Sequence, residues 1–307
     1  MARRSWMPLL GIMVVMLASC AMTVTAQEAA EPGVLRIATT TSLYDTGLLD
    51  ELELMYEETS DVDVQITAQG TGQSLDTARR GDVDLVLVHS PSLEQEFIDE
   101  GYGINERCFA YNNYIIVGPE SDPAGIANMT PDEAFQAIYN AGTNETEGVA
   151  FASRGDDSGT HTREQEIWEA AGYNYTTDIR DSGAWYLESG SGMGETLTLA
   201  NQREAYTLSD IGTYLALQDQ LNLVQLVTGG DELLNRYSAI SVNPEMAEGV
   251  NIDEANNFTD WLTSDETKDY IGNFGAEEFG QPLFTPLYPP ECTEPPFNCT
   301  CAEPVTA

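Results

Sequence analysis

Three short segments of the sequence combine hydroxyl side chains with small residues in a pattern that suits the binding of an anion. They occupy residues 39–42, 70–74 and 153–160. Each follows a predicted strand and precedes a predicted helix, so the free N–H groups and the dipole of a helix N-terminus would face an anion bound there. The third segment adds Arg154, whose guanidinium can bind two oxygen atoms at once. Together these residues predict an oxyanion-binding site.

The elements that would position these segments alternate between strand and helix. Residues 34–39 form the first predicted strand, and apolar residues at helical spacing from Leu48 to Tyr56 predict an amphipathic helix after it. Thr130 and Pro131 predict another helix N-terminus. This alternation favours α/β sheets, which bind ligands at the carboxyl ends of their strands. Further strands are predicted at residues 62–66, 83–88, 115–117, 149–152, 206–208, 223–227 and 239–242, and further helices up to Gly81 and over 164–171.

The charge balance excludes one large class of partners. The 307 residues include 51 Asp and Glu against 12 Lys and Arg, a formal net charge of −39. Such a surface repels another polyanion, so nucleic acid is excluded as a partner. This acidity suits strong salt, where the screening length falls to roughly 3 Å at 1 M, and it predicts a salt-adapted source. The hydrophobic content of 42% is enough for the cores of two ordinary domains.

The N-terminal residues are typical of an export signal. Arg3 and Arg4 precede an apolar run that is shorter than the roughly 20 residues of a membrane-spanning helix. Cys20 directly follows a Leu-Ala-Ser sequence, which resembles a lipobox. We therefore expect residues 1–19 to be a signal peptide, Cys20 to carry the lipid anchor, and residues 20–33 to be a flexible tether. A plain signal peptide and a twin-arginine route are the alternatives.

The C-terminal segment, residues 286–307, is rich in proline and cysteine and has neither a helical nor a strand period. The cysteines that follow Cys20 are Cys108, Cys292, Cys299 and Cys301. In an exported protein, a disulfide among the three cysteines of this tail is expected. A metal site is disfavoured because the two histidines, His89 and His161, are far from the tail in sequence.

Two other motifs predict neither an enzyme active site nor a calcium site. Ser158, His161 and Asp157 have the residue types of a hydrolytic triad, but residues this close on one helical turn rarely align as nucleophile, base and orienting group. We therefore expect no enzyme. The pairs Asp61-x-Asp63 and Asp82-x-Asp84 lack the spacing of a calcium-binding loop, and they are interpreted as solvated strand ends.

The order of these motifs resembles a known family. Ala38-Thr39-Thr40-Thr41-Ser42, followed by Tyr44-Asp45-Thr46-Gly47-Leu48-Leu49, resembles the start of the tungstate-binding proteins of ABC transporters. The resemblance extends over about residues 35–286, and the chain departs from the family in its cysteine-bearing tail and its acidity. The later matches are Gly70-Thr71-Gly72, Gly81-Asp82, Leu87-Val88-His89, Ser153-Arg154-Gly155-Asp156, Ser158-Gly159-Thr160-His161, Gly192-Met193-Gly194-Glu195-Thr196-Leu197, Ala205-Tyr206-Thr207-Leu208-Ser209-Asp210 and Gly212-Thr213-Tyr214.

The resemblance implies an α/β architecture, the type II periplasmic-binding-protein fold. In that fold two α/β lobes are joined by a strand hinge and close on a ligand in the cleft between them. One lobe would contain residues 34–112 and 238–285, and the other residues 113–237. The hinge would lie near Tyr114 and Tyr237.

The resemblance also implies the site and the partners. The ligand would be tungstate, delivered to a membrane permease driven by a cytoplasmic ATPase, and the protein would be a monomer on the outer face of the cell membrane, without a cofactor or metal. One wall of the site would consist of Thr40, Thr41, Ser42, Thr71 and Gly72. The other wall would consist of Arg154, Ser158, Gly159 and Thr160.

The identity of the oxyanion stays open between tungstate, molybdate and phosphate. Hydrogen phosphate carries a proton that a carboxylate in the site could accept, whereas tungstate and molybdate carry none at neutral pH and need donors. Asp156 therefore discriminates between them: a carboxylate pointing into the cleft favours phosphate, and one bound to Arg154 or to backbone N–H groups favours an oxometalate. An extracytoplasmic oxyanion sensor is the alternative to a transport protein.

Overall fold

The strands form where β-branched and other apolar residues cluster in the sequence. The computed structural model describes residues 33–301; the predicted signal peptide, Cys20 and all but the last residue of the predicted tether lie outside them. Within 33–301 the strands are β1 (Gly33–Thr40), β2 (Val62–Gln69), β3 (Leu85–Val88), β4 (Gly103–Pro119), β5 (Phe151–Ser153), β6 (Tyr186–Glu188), β7 (Thr207–Asp210), β8 (Leu223–Val227), β9 (Leu234–Val242) and β10 (Thr285–Pro286).

Helices connect most of these strands, as the alternation predicts. They are α1 (Thr41–Tyr44), α2 (Leu48–Thr59), α3 (Thr71–Arg79), α4 (Pro91–Asp99), α5 (Pro131–Thr143), α6 (Gly159–Ala170), α7 (Met193–Arg203), α8 (Ile211–Leu217), α9 (Ile252–Leu262), α10 (Asp265–Ile271) and α11 (Ala276–Phe279). A capping box formed by Thr130 and Glu133 begins α5 where the sequence predicts it. In the part of the chain described, no helix is long and apolar enough to cross a membrane.

The main sheet has the strand order β10-β4-β9-β3-β1-β2, with β7 and β8 also pairing with β4. Strands β1, β2 and β3 are parallel, whereas β9 runs antiparallel to β3 and β4. The two short strands β5 and β6 form a separate parallel pair. The carboxyl ends of β1, β2 and β3 therefore lie at one edge of the sheet, as expected for a ligand-binding edge.

Strand β4 is longer than predicted. The sequence predicts a strand over residues 115–117, but β4 spans Gly103–Pro119. It pairs with β9 as far as Asn113, and from Tyr114 onward it pairs with β7 and β8. Asn112 interrupts the apolar pattern but stays in the strand, because its side-chain oxygen accepts a hydrogen bond of 2.8 Å from Asn235.

The predicted lobe boundaries, at residues 112/113 and 237/238, stay a prediction. The described residues belong to one compact unit. One apolar cluster contains Leu35 of β1, Ile115 of β4 and Met193 of α7, so it runs through both predicted lobes. A second cluster, which includes Phe135, Phe151 and Trp168, packs around α5, α6 and β5.

The tail is more ordered than its sequence indicates. Cys292 and Cys301 form a disulfide within the tail, which confirms the expected bond, and Cys108 and Cys299 form a second one that joins the tail to β4. Strand β10 pairs with β4 at Tyr111. The sequence of this segment has no helical or strand period, but its first residue, Pro286, lies in β10, because pairing with a neighbouring strand does not require a periodic sequence.

One predicted strand end differs in the structure. Asp84 was expected to be solvated, but its side chain is fully buried. It accepts hydrogen bonds from the Arg36 guanidinium at 2.6 Å and 3.0 Å, and from the backbone N–H of Asn251 at 2.7 Å. A buried carboxylate is tolerated when it is paired in this way. Asp82, two residues earlier, is exposed as expected.

Candidate oxyanion site

The first two predicted segments follow neighbouring parallel strands. Thr40 ends β1 opposite Gln69 at the end of β2, so the helices α1 and α3 begin at the same edge of the sheet. The Thr40 hydroxyl caps α1 by accepting a hydrogen bond of 3.3 Å from the Leu43 backbone. Thr71 is the first residue of α3. Both segments therefore lie where the sequence predicts them.

The third segment packs directly against these two. Ser158 caps α6 by accepting a hydrogen bond of 3.2 Å from the backbone of His161, so α6 begins at Gly159 rather than at residue 164 as predicted. A Cβ atom added to Gly159 would lie 3.0 Å from the Thr71 hydroxyl oxygen and 3.0 Å from Cε1 of His89. Glycine at this position permits the close approach. The structure thus brings all three segments together, and we call the region where they meet the three-loop crevice.

Arg154 joins two of the loops. Its side chain is only 3% exposed. The Nη2 atom donates to the Thr41 hydroxyl at 3.4 Å and to the Asp156 carboxylate at 2.6 Å. The guanidinium is therefore held in the crevice, away from bulk water.

Asp156 points to Arg154. Its Oδ2 atom accepts from both Nη2 and Nε of the guanidinium, and its Oδ1 atom accepts from the backbone N–H of Ser158 at 3.3 Å. Both carboxylate oxygens are thus engaged within their own loop. Of the two orientations considered for Asp156, the structure contains the one that favours an oxometalate over hydrogen phosphate.

Two hydroxyl groups in the crevice have no hydrogen-bond partner among the described residues. They are Oγ1 of Thr71 and Oγ1 of Thr160, on side chains that are buried. The Tyr114 hydroxyl lies close enough to Thr160 for that hydroxyl to lower the pKa of Tyr114, but its hydrogen bond of 2.9 Å is to Nδ1 of His89. A buried polar group without a partner costs about 1–3 kcal/mol. Each of these two hydroxyls, in the first turn of a helix, therefore keeps a donor that the described residues leave unused.

His89 is a site residue to which sequence reasoning assigned no role. It follows β3, is almost fully buried, and lies 3.0 Å from the Ser42 hydroxyl and 2.9 Å from the Tyr114 hydroxyl. Burial lowers the pKa of His89 to about 3, and the charge of Arg154 acts in the same direction. The imidazole is therefore neutral at ordinary pH. Its position directly after a buried strand that ends at the ligand-binding edge could have indicated that His89 belongs to the site.

A second carboxylate near the crevice is also fully engaged. Asp210 is buried and caps α8, where it accepts hydrogen bonds of 2.8 Å from both the backbone and the hydroxyl of Thr213. Burial raises the pKa of Asp210, whereas the charge of Arg154 lowers it. Like Asp156, this carboxylate has its oxygens occupied by donors from the protein.

The remaining predicted site residues line the same loops. Ser42 is buried beside Thr40, with their hydroxyl oxygens 3.4 Å apart. Gly72 faces the third loop, since an added Cβ atom would lie 3.6 Å from the backbone oxygen of Asp157. The role of each of these residues in binding stays a prediction.

The structure contains no triad geometry at Ser158. The Ser158 hydroxyl accepts from the backbone of His161, and the imidazole faces Tyr175, whose hydroxyl is 2.9 Å from Nε2. The Nδ1 atom of His161 accepts from the backbone N–H of Asp157 at 3.0 Å. No hydrogen bond joins the hydroxyl to the imidazole, as a nucleophile and its general base require.

Comparison with known proteins agrees with this architecture. Residues 25–266 match the family described as PBP superfamily domain, the superfamily of the periplasmic binding proteins. Over 254 residues the chain is 37% identical to the tungstate-binding protein TupA of Peptoclostridium acidaminophilum, which covers 83% of this chain and 86% of that protein. The chain belongs to the family of these tungstate-binding proteins.

Two further relatives of this family extend the comparison. A protein of Haloferax volcanii assigned as the anion-binding protein of an ABC transporter is 46% identical over 258 residues, 82% of this chain and 71% of that protein. The solved structure of the tungstate-binding protein TupA from Desulfovibrio alaskensis is 38% identical, covers 83% of this chain and 99% of that one, and superposes with a TM-score of 0.69. The expected periplasmic-binding-protein fold is confirmed. The Haloferax protein is named as a component of an ABC transporter, and the two TupA proteins are named as tungstate-binding proteins.

Proposed function

We propose that this protein is the extracytoplasmic solute-binding component of an ABC transporter, and that it captures tungstate in the three-loop crevice and delivers it to a membrane permease. The observation that carries the proposal is the pair of buried hydroxyls, on Thr71 and Thr160, that have no partner in the described residues and belong to different loops. A tetrahedral oxyanion has enough acceptor oxygens to bind both, and Arg154 supplies a positive charge beside them. The names of the relatives support the same ligand.

The donor-only character of the crevice supports an oxometalate. Tungstate carries no proton at neutral pH and therefore needs donors alone. The carboxylates of Asp156 and Asp210 are both engaged with donors of the protein. A ligand that enters the crevice thus meets hydroxyl and guanidinium donors, and neither Asp156 nor Asp210 is free to accept the proton of hydrogen phosphate. Molybdate has almost the same size and charge as tungstate, and it is the alternative ligand.

The net charge of −39 makes strong salt part of the proposal. A dianion approaching this protein is repelled at long range, and salt shortens the range of that repulsion to roughly 3 Å at 1 M. The buried donors act at contact distance and are screened much less. We therefore propose that short-range contacts with the buried donors determine the affinity for tungstate. We also propose that the rate of association with tungstate rises as salt is added.

We also propose that the protein acts as a monomer without enzymatic activity and is anchored to the outer face of the membrane through a lipid on Cys20. The support for the anchor is the Leu-Ala-Ser sequence before that cysteine. A Cys20→Ser variant is expected to appear in the soluble fraction, while the wild type stays with the membrane. Equal membrane association of the two would contradict the anchor.

Calorimetric titration of the protein in molar salt tests the ligand. Tungstate is expected to bind with one site per chain, molybdate comparably or more weakly, and sulfate and phosphate at least about 100-fold more weakly, a difference of about 3 kcal/mol. An Asp156→Asn variant is the control for phosphate, because it should leave the preference for tungstate over phosphate in place. Phosphate binding as tight as tungstate binding, lost selectively in that variant, would reverse the assignment.

A further inference from the structure

Three buried side chains form a hydrogen-bonded chain that leads into the crevice. The Tyr114 hydroxyl lies 2.9 Å from Nδ1 of His89, and Nε2 of the same ring lies 3.0 Å from the Ser42 hydroxyl. None of the three residues is more than 2% exposed. Because these groups are buried, each polar atom among them needs a hydrogen-bond partner close by.

The imidazole has one proton to donate. Burial and the nearby charge of Arg154 keep His89 neutral. In a neutral imidazole one ring nitrogen carries a proton and donates, and the other accepts. The two hydroxyls at the ring nitrogens, Tyr114 at Nδ1 and Ser42 at Nε2, therefore cannot both act as donors to it, and the Asn235 side chain is a third polar neighbour of the ring.

Tyr114 determines which ring nitrogen of His89 carries the proton. Burial raises the pKa of Tyr114, so its hydroxyl keeps its proton. Its hydrogen bond of 2.9 Å is to Nδ1 of His89, and the neighbouring Thr160 hydroxyl acts on the tyrosine oxygen as a donor, which lowers the pKa of Tyr114. A proton on Nδ1 would leave the buried tyrosine O–H without an acceptor. Nδ1 therefore accepts, and Nε2 donates to the Ser42 oxygen.

We propose that His89 is a positioning residue that makes the Ser42 hydroxyl a donor toward the bound oxyanion, an inference that rests on the proposed function of the crevice. Since Ser42 accepts from the imidazole, its own proton is available to the ligand. Its other hydrogen-bond neighbour among residues 33–301 is the Thr40 hydroxyl, at the long distance of 3.4 Å.

The same arrangement contributes to specificity. The Ser42 oxygen already accepts from His89, so it is a poor acceptor for the proton of hydrogen phosphate. An oxyanion without a proton meets no such conflict. The chain from Tyr114 to Ser42 thus selects for fully deprotonated oxyanions, in the same sense as the pairing of Asp156 with Arg154.

The imidazole is fixed in this role by packing. Its ring lies 5.1 Å from the ring of Tyr237 on β9, between centroids. On another side the backbone of Gly159 leaves no room for a side chain, since an added Cβ atom would lie 3.0 Å from Cε1 of the imidazole. A donor held by a rigid ring needs little reorganisation when the ligand binds.

The first test measures the tautomer of His89 in the ligand-free protein. The protein contains two histidines, so nitrogen NMR of protein labelled with ¹⁵N-histidine gives signals from two imidazole rings. A His161→Gln variant shows which signals belong to His89. His89 is expected to carry its proton on Nε2 in the wild type. A proton on Nδ1 overturns the inference whatever the affinity for tungstate. This measurement keeps Tyr114, His89 and Ser42 as they are, so it does not depend on whether a variant at one of these positions folds.

The second test is a double-mutant cycle on tungstate affinity. Ser42→Ala and Tyr114→Phe are each expected to weaken binding about tenfold, because each removes the donor that faces the ligand or the group that directs it. The double variant should bind about as well as Ser42→Ala alone, since both changes act through one hydroxyl. Additive losses would overturn the inference.

A matched control separates this role from general stability. Tyr206 is another fully buried tyrosine with a hydrogen-bonded hydroxyl, at Asp122, away from the crevice. Tyr206→Phe is expected to lower the melting temperature and leave tungstate affinity unchanged. Equal losses of affinity in Tyr114→Phe and Tyr206→Phe would overturn the inference. A wild type that binds no tungstate would instead overturn the proposed function, and the NMR result would distinguish the two failures.

Discussion

The guanidinium of Arg154 donates two hydrogen bonds to one oxygen of Asp156, from Nη2 at 2.6 Å and from Nε at 3.2 Å. The carboxylate thereby orients the arginine and leaves the rest of the guanidinium for a ligand. The pairing also neutralises the negative charge of the carboxylate, which would otherwise repel an oxyanion. This pair is the basis of the first prediction.

Replacing Arg154 with alanine should weaken tungstate binding by two or more orders of magnitude. A buried, charge-assisted pair of this kind contributes on the order of 3 kcal/mol. Arg79, whose partner Asp76 lies on the same helix at 3.0 Å, provides the control. Calorimetry is expected to give near-wild-type affinity for Arg79→Ala. The same result for Arg154→Ala would remove Arg154 from the site.

Replacing either unpartnered threonine with valine should separate stability from binding. Thr71→Val and Thr160→Val remove a buried hydroxyl that has no partner, so the ligand-free protein should be as stable as the wild type or more stable. Tungstate affinity should fall about tenfold in each. Thermal unfolding without ligand and calorimetric titration measure the two effects.

Thr259 is the matched control for these two variants. Its buried hydroxyl donates to the backbone oxygen of Ala255 at 2.8 Å, within α9. Thr259→Val should therefore lose stability and keep its affinity. If Thr71→Val and Thr160→Val behave like Thr259→Val, their hydroxyls do not serve a ligand.

Glu164 should make stability fall as the pH rises from about 4.5 to about 7. This carboxyl accepts hydrogen bonds from Tyr186 at 2.6 Å and Trp168 at 3.0 Å, but burial dominates and raises its pKa to about 7. The folded protein therefore binds a proton that the unfolded chain has already released in that range. The free energy of unfolding attributable to this residue should fall by on the order of 3 kcal/mol across it, and stay level above it.

A Glu164→Gln variant isolates this contribution. Denaturant unfolding of wild type and variant at fixed salt, from pH 4 to pH 9, gives the difference between them at each pH. Titration of His89 and His161 is common to both proteins and cancels in that difference. A difference that does not change with pH would show that Glu164 titrates normally.

Breaking the disulfide between Cys108 and Cys299 should destabilise the protein more than breaking the one between Cys292 and Cys301. The first joins residues 191 positions apart and the second joins residues 9 apart. Loop entropy predicts losses of up to about 5 and about 3 kcal/mol respectively. Paired Cys→Ala variants and denaturant unfolding test the order. Tungstate affinity should be unchanged in both, and a loss would link the tail to the crevice.

Local patterns predicted many of the elements and their ends. Thr130 caps α5 where the sequence predicts it, because short-range hydrogen bonds specify a helix start. The short helix α1, which Thr40 caps, was not predicted, since the first helix was expected from Leu48 onward. The start of α6 was placed too late, since its first turn contains polar residues and only the cap at Ser158 reveals it. Strand β4 was predicted too short for a related reason: Asn112 is polar, and its burial depends on a partner 123 residues away, Asn235.

The sequence by itself determined the alternation of strands and helices, the chemistry of the three loops and the excess of negative charge, because each is a property of neighbouring residues or of composition. Only the tertiary structure decided how Asp156 is oriented, which hydroxyls are left without partners, and that His89 connects Ser42 with Tyr114. Those relationships depend on loops that meet in space: Ser42 and His89 are 47 positions apart in the sequence, and Thr41 and Arg154 are 113 positions apart. Side chains this far apart in the sequence come together only after the strands pair, so no local sequence pattern predicts the distances between them.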